Sequence, residues 1–216
     1  LFMREEEKLA RDIYLEMYAL WNNRVFNNIA KSEQKHMDAI GCLLQKYEIA
    51  DPVGENGNGV FVNEELQSLY NTLLEQGSQS LEAAFQTGAT IEDVDIADLV
   101  NLYEIADNLD ILAVFEELTK GSRNHLRAFA RQLTMLDLTY TPQFISEEDY
   151  AEIISTPRER GGSLCFTTGN GGAGDPGNCP YNQTGMGPHG NGGQGNNGIC
   201  PNGGTGNGGN GGICPN

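Results

Sequence analysis

RVFNNIAKSEQKHMDAIGCLLQKY, residues 24–47, carries apolar side chains at Phe26, Ile29, Ile40 and Leu43, with Glu33 and His36 in the gap between them. Steps of three and four residues put all six positions on one face of an α-helix. A stripe of this kind faces a core. Its two polar members, a carboxylate and an imidazole three residues apart, are therefore expected to face that core as well.

The same spacing recurs on either side. A first segment, about Phe2 to Leu20, aligns Met3, Ala10, Tyr14, Met17 and Trp21. A third, about Ser80 to Ile105, aligns Leu81, Phe85, Leu99 and Tyr103, and a fourth, about Leu109 to Leu136, aligns Val114, Leu118, Phe129 and Leu133. The links between the first two and the last two segments are short, which favours antiparallel pairs. Between the pairs lie a turn-rich loop, residues 51–63, and a helical piece at 64–75. Pro142 ends the bundle region, and residues 146–154 read as one short capping helix. Beta-branched alternation is scarce, so the fold class is all-α, a four-helix bundle with a long crossover connection.

Each long segment carries a ligand-type side chain on its apolar stripe. Glu7 lies four after Met3 and seven before Tyr14, although Glu6 fits a competing stripe with Phe2, Ala10, Ile13 and Met17. Glu92 lies seven before Leu99, with Asp95 three further on, and His125 lies seven after Leu118 and four before Phe129. Lone buried carboxylates are costly unless paired or bound to metal. Carboxylates and imidazoles together suit iron, manganese or zinc. Glu7, Glu33, His36, Glu92, Asp95 and His125 are the candidate metal ligands, for one or two divalent ions. A buried histidine satisfied by hydrogen bonds is the competing reading.

Composition divides the chain at residue 160. Of 28 glycines, 21 lie beyond it, together with a single charge, Asp175. Residues 1–160 can bury a core, and residues 161–216 form a glycine- and asparagine-rich tail that cannot. The net charge of −17 sits almost wholly on the first part. Such a surface repels phosphate backbones, so no nucleic-acid partner is expected. No apolar run approaches the roughly 20 residues of a membrane span. Cys42, off the Glu33–His36 stripe, reads as a small buried hydrophobe.

Cys165, Cys179, Cys200 and Cys214 fall in the tail, where two disulfides in any of three pairings are expected. Disulfides persist in oxidising compartments, so the expected location is extracellular or at the cell surface, any leader being either removed or outside this sequence. GICPN occurs at 198–202 and again at 212–216, and glycine recurs every third residue over parts of the tail. A three-residue period suits extended left-handed strands, which have no internal hydrogen bonds and need partners. Self-association through the tail is the expectation.

EKLARDIY at 7–14, SEQKH at 32–36, IEDVD at 91–95 and NHLRAF at 124–129 together resemble the ferritin-like superfamily. The nearest shape is rubrerythrin, in which a first-helix Glu precedes a Tyr by seven with an Ala-Arg pair between. The pattern MREEEKLARDIY, SEQKHMDAI and GSRNHLRAF also resembles an uncharacterised branch of that superfamily, covering residues 1 to about 157. The resemblance implies a ferritin-like bundle with a di-iron centre, carried onto Glu7, Glu33, His36, Glu92 and His125. One position departs from it. The last helix of the superfamily reads Glu-x-x-His, but Ser122 stands three before His125. Asp95 and Glu117 are the carboxylates available to stand in, and a reduced or single-metal site is a second expectation. No rubredoxin-type Cys-x-x-Cys pair is present. Two functions follow: an exported metal-binding subunit that assembles into an oligomer or filament through its tail, or a di-metal oxidase, peroxidase or iron-handling enzyme.

Overall fold

Two asparagines make the first turn of the chain. Asn22 closes α1 (Phe2–Trp21) in the left-handed region at φ 48°, and Asn23 caps α2 (Arg24–Lys46), its side-chain oxygen accepting from the Val25 amide. Asparagine suits both positions, since it tolerates left-handed backbone and its short side chain reaches a free helical amide. A link this short leaves α1 and α2 antiparallel.

The computed structural model describes residues 1–160 and over them forms six helices and no strand. Asn63 caps α3 (Glu64–Gly77) by accepting from Glu65 and Leu66. Ser80 caps α4 (Leu81–Ile105), α5 (Leu109–Thr134) follows after three residues, and Ser146 caps α6 (Glu147–Ser155). The two hairpins, α1 with α2 and α4 with α5, pack so that α1 lies against α4 and α2 against α5. The crossover, including α3, lies against α1 and α4. No described helix is long and apolar enough to cross a membrane.

Two apolar clusters fill the space between the four long helices. The larger includes Ile13, Tyr14, Phe26, Phe85, Phe129 and Leu133, and the smaller Met3, Ile40, Leu43, Leu99, Val114 and Leu118. The polar residues Glu7, Glu33, His36, Glu92, Asp95, Ser122 and His125 fall between them in sequence on every helix, and all are buried. A hydrophilic layer thus divides the core.

Helix α1 is buried on more faces than its stripe implies. Glu5, Lys8 and Asp12 are each 3% exposed or less. They are covered by the loop that precedes α3. Lys8 donates to Asp12 and, at 2.7 Å, to the Gly57 carbonyl, and its ammonium sits 4.5 Å from the centre of the Phe61 ring. Asp12 also accepts from the Gly59 amide at 2.9 Å and from Arg11, while Glu5 accepts from the amides of Val62 and Asn63. Charged groups survive burial here because Lys8 and Asp12 are paired and Glu5 accepts from two backbone amides. Gly59 holds φ +70°, and a Cβ there would lie 2.8 Å from the Tyr70 ring.

Two inward assignments do not hold. Tyr103 is 46% exposed, because the last turn of α4 leaves the core, as the exposure of Val100 and Ile105 also shows. Cys42 is half-buried, short of the burial expected of a small core hydrophobe. The expected tail strands and the pairing of Cys165, Cys179, Cys200 and Cys214 lie outside the described residues.

Candidate metal centre

Glu33 is the hub of the hydrophilic layer. Its Oε2 lies 2.8 Å from His36 Nδ1, one turn along α2, and its Oε1 lies 2.8 Å from His125 Nδ1 on α5. From α1, Glu7 Oε2 stands 3.1 Å from the same nitrogen of His36, and from α4, Glu92 Oε2 stands 3.4 Å from that of His125. The two imidazoles stack with centres 5.5 Å apart. Two buried triads result, Glu7–Glu33–His36 and Glu33–Glu92–His125, each offering ligand atoms within 4.8 Å of one another. One carboxylate is common to both.

The remaining expected residues take defined places. Asp95 is buried beside the triads but belongs to neither; its Oδ2 accepts from the Ser122 hydroxyl. Ser122 on α5 is thus joined to a carboxylate of α4. Glu117 belongs to neither triad; it lines the groove beside the two histidines and pairs with Lys120 at 2.9 Å. Of the two competing glutamates, Glu7 reaches the histidines, and Glu6 turns to the α4 side, next to Asp95 and Asp98. Tyr14, fully buried, donates to Glu92 and lies 3.3 Å from the Gly88 carbonyl. Its place on the stripe, seven after Glu7, was visible in the sequence, but its partner was not.

Several buried atoms of this layer lack a hydrogen-bond partner: Glu7 Oε1, Glu33 Oε1, Asp95 Oδ1 and His125 Nδ1. For Glu33 and His125 this holds despite the 2.8 Å separation, because the two groups are close without being aligned for hydrogen bonding. Closeness without alignment is what atoms directed at a shared third centre display. The donor set fits a divalent ion.

Protonation follows the same geometry. Burial alone would raise Glu33, but the charges of His125 and His36 outweigh it and hold this carboxyl well below the usual range. Burial pushes Glu7 up to about 7, His36 opposing it. His125 would be lowered by burial, yet Glu33 and Glu92 raise it to about 10, and Glu7 and Glu33 raise His36 likewise. Burial, then the charges of Glu7 and Glu92, raise Asp95 well above the usual range. Without metal the layer is thus held by protons.

Both histidines border a surface groove between α2 and α5, and Gly121 forms part of its wall. A Cβ on Gly121 would stand 2.5 Å from the Cε1 and Nε2 atoms of His36. Gly121→Ala is expected to push that ring out of the Glu7–Glu33–His36 triad. Overpacking of this kind costs about 1–3 kcal/mol. Bound metal measured by elemental analysis should fall while the circular dichroism stays helical; unchanged metal content would show that the ring adapts.

Residues 1–157 match the profile of a family described as an uncharacterized protein domain, DUF2202. The uncharacterized protein MJ0754 of Methanocaldococcus jannaschii is 55% identical over 159 residues, which is 74% of this chain and 86% of that protein. A crystal structure of hypothetical protein MJ0754 from Methanococcus jannaschii matches with a TM-score of 0.73 and 54% identity, over 74% of this chain and 91% of that one.

Proposed function

The chain belongs to the DUF2202 domain family, and from that premise we propose that its helical part is a ferritin-like four-helix bundle that binds a pair of divalent metal ions. The observation that carries this reading is Glu33, whose two oxygens face the Nδ1 atoms of two histidines from two helices. Glu7 with His36 would complete one ion's protein ligands, and Glu92 with His125 the other's. Asp95, held by Ser122, is a further carboxylate that would be available to hold metal. Oxygen and imidazole donors suit iron, manganese and zinc, and the ferritin-like resemblance favours iron. The deciding experiment is elemental analysis of native protein, with two ions per chain expected. A chain carrying none after incubation with iron(II), manganese(II) and zinc would end the proposal.

Metal binding is expected to displace protons, because the ligands must bind in deprotonated form. Glu7 is raised to about 7 and His125 to about 10, so both are largely protonated below pH 7. The sign is therefore fixed: affinity rises with pH. Each displaced proton is worth about tenfold in affinity per pH unit. The slope should be steeper below about 7, where Glu7 also holds its proton. Titration calorimetry between pH 5.5 and 8 measures it, and a flat profile contradicts the assignment.

A second, enzymatic reading is favoured by Tyr14. Its phenol donates to Glu92, and burial followed by the charge of Glu92 keeps it protonated. Bound iron would supply redox chemistry, and this chain would supply a phenol with its proton held one hydrogen bond from a ligand. Consumption of dioxygen or peroxide by iron-loaded protein distinguishes an oxidase from a structural site.

The proposal includes export and self-association through residues 161–216. It rests there on the sequence alone: almost no charge, repeated GICPN, four cysteines and periodic glycine. Deleting the tail should leave a folded bundle of smaller particle size by light scattering. Equal particle size with and without the tail would remove the assembly role.

A further inference from the structure

Neighbouring residues on a helix point about 100° apart, so Glu6 and Glu7 cannot share a destination. Glu7 meets His36 on α2, while Glu6 faces α4. Glu6 is 4% exposed, and no donor reaches its oxygens other than a proton shared with Asp98. The charges closest to it are all carboxylates: Asp95, Asp98 and Glu7. Asp98 is half-buried, one helical turn beyond Asp95, which is itself 5% exposed with Oδ1 unpartnered. None of Glu6, Asp95 and Asp98 forms an ion pair among the described residues, in contrast to Lys8 and Asp12 of α1, which pair with each other.

We propose that Asp98, Glu6 and Asp95 form an acidic track through which a divalent cation reaches the two-ion centre from the α1–α4 side of the bundle. This rests on the metal-binding reading of the centre. The three carboxylates do not converge as the two triads do, so the track passes the ion on and does not retain it. It begins at the partly exposed Asp98 and ends at Asp95, whose neighbours are Glu7, Glu92 and Glu33. Two buried oxygens whose one contact is a second carboxyl group are costly in a dry core, and a passing cation is the partner their charge selects. The other approach has the opposite sign. The groove between α2 and α5 reaches His36 and His125; of its charged lining residues, Glu117 is paired with Lys120 and Glu159 with Arg123 and Arg127, which leaves Lys31, Lys35 and Arg158. Lys31, Lys35 and Arg158 form no ion pair among the described residues, and their field repels a divalent cation.

The test is the rate of metal uptake, read separately from the amount. Metal-free full-length chain is mixed with cobalt(II), and its absorbance is followed by stopped flow until constant; elemental analysis then gives the final ratio. The double variant Glu6→Gln, Asp98→Asn keeps the shapes and removes the charge. Uptake is expected to slow by about tenfold or more, in the range that electrostatic guidance contributes, with the final metal-to-protein ratio unchanged. Lys35→Glu, on the opposite face, is expected to leave the rate as it is. Uptake at the wild-type rate in the double variant overturns the track. A lowered final ratio overturns it too, by making Glu6 a resident ligand, and so does acceleration by Lys35→Glu alone. If wild-type chain takes up no metal, the reading of the centre has failed, an outcome distinct from uptake that ignores Glu6 and Asp98.

Discussion

Glu33→Gln is expected to abolish binding of the ion pair while leaving the helices folded. The substitution keeps the volume of the side chain and removes the one charge that faces both His36 and His125. Loss of groups that only orient metal ligands lowers affinity about 10- to 100-fold. Loss of the carboxylate common to both triads should exceed that for any ion either triad would hold. A second readout needs no metal. The charge of Glu33 is a leading cause of the raised values of both histidines, and that of His125 stands at about 10. With glutamine in place, burial acts with less opposition, and both imidazoles should lose their protons at lower pH. An NMR titration of the histidine ring signals measures this directly. If the substitution changes neither the metal ratio nor the histidine titrations, Glu33 is not the hub of the centre.

The largest stability effect is expected from Asp12→Ala, remote from the histidines. Asp12 joins Lys8, Arg11 and the Gly59 amide, and its removal leaves the Lys8 ammonium, 0% exposed, with only the Gly57 carbonyl and the Phe61 ring. Breaking a buried pair by removing one partner costs about 3–5 kcal/mol. Urea unfolding should show a lower midpoint at unchanged slope. The double variant Lys8→Met, Asp12→Leu should recover much of the loss, since apolar replacement of a buried pair is often close to neutral. A loss below about 1 kcal/mol in Asp12→Ala would mean that water reaches Lys8 and that the loop is not clasped.

The helices were legible because their apolar residues recur every three or four positions, and the crossover loop because residues 51–63 are rich in turn formers; the caps at Asn23, Asn63 and Ser80 emerged with the structure. Boundaries read from the sequence fall within about two residues of those observed. Glu33, His36, Glu92 and His125 stood out for the same reason in reverse: a polar group on an apolar stripe contradicts its surroundings. Glu5, Lys8 and Asp12 gave no such signal. They lie off the stripe and look like solvated charge until the crossover loop covers them. Tyr103 shows the converse failure, since periodicity continues into a helix end that no neighbouring helix covers.

The sequence by itself determined the helices, their antiparallel pairing and the presence of ligand-type side chains inside. These follow from local spacing and link length, which act within a few residues of each other. The tertiary structure decided between Glu6 and Glu7, joined Ser122 to Asp95 and Tyr14 to Glu92, and made Glu33 common to both triads. Those outcomes depend on how two helices are rotated and shifted against each other. Many side chains far apart in the chain set that rotation together, and a single helix's periodicity defines a face about 100° wide, too broad to choose between adjacent residues.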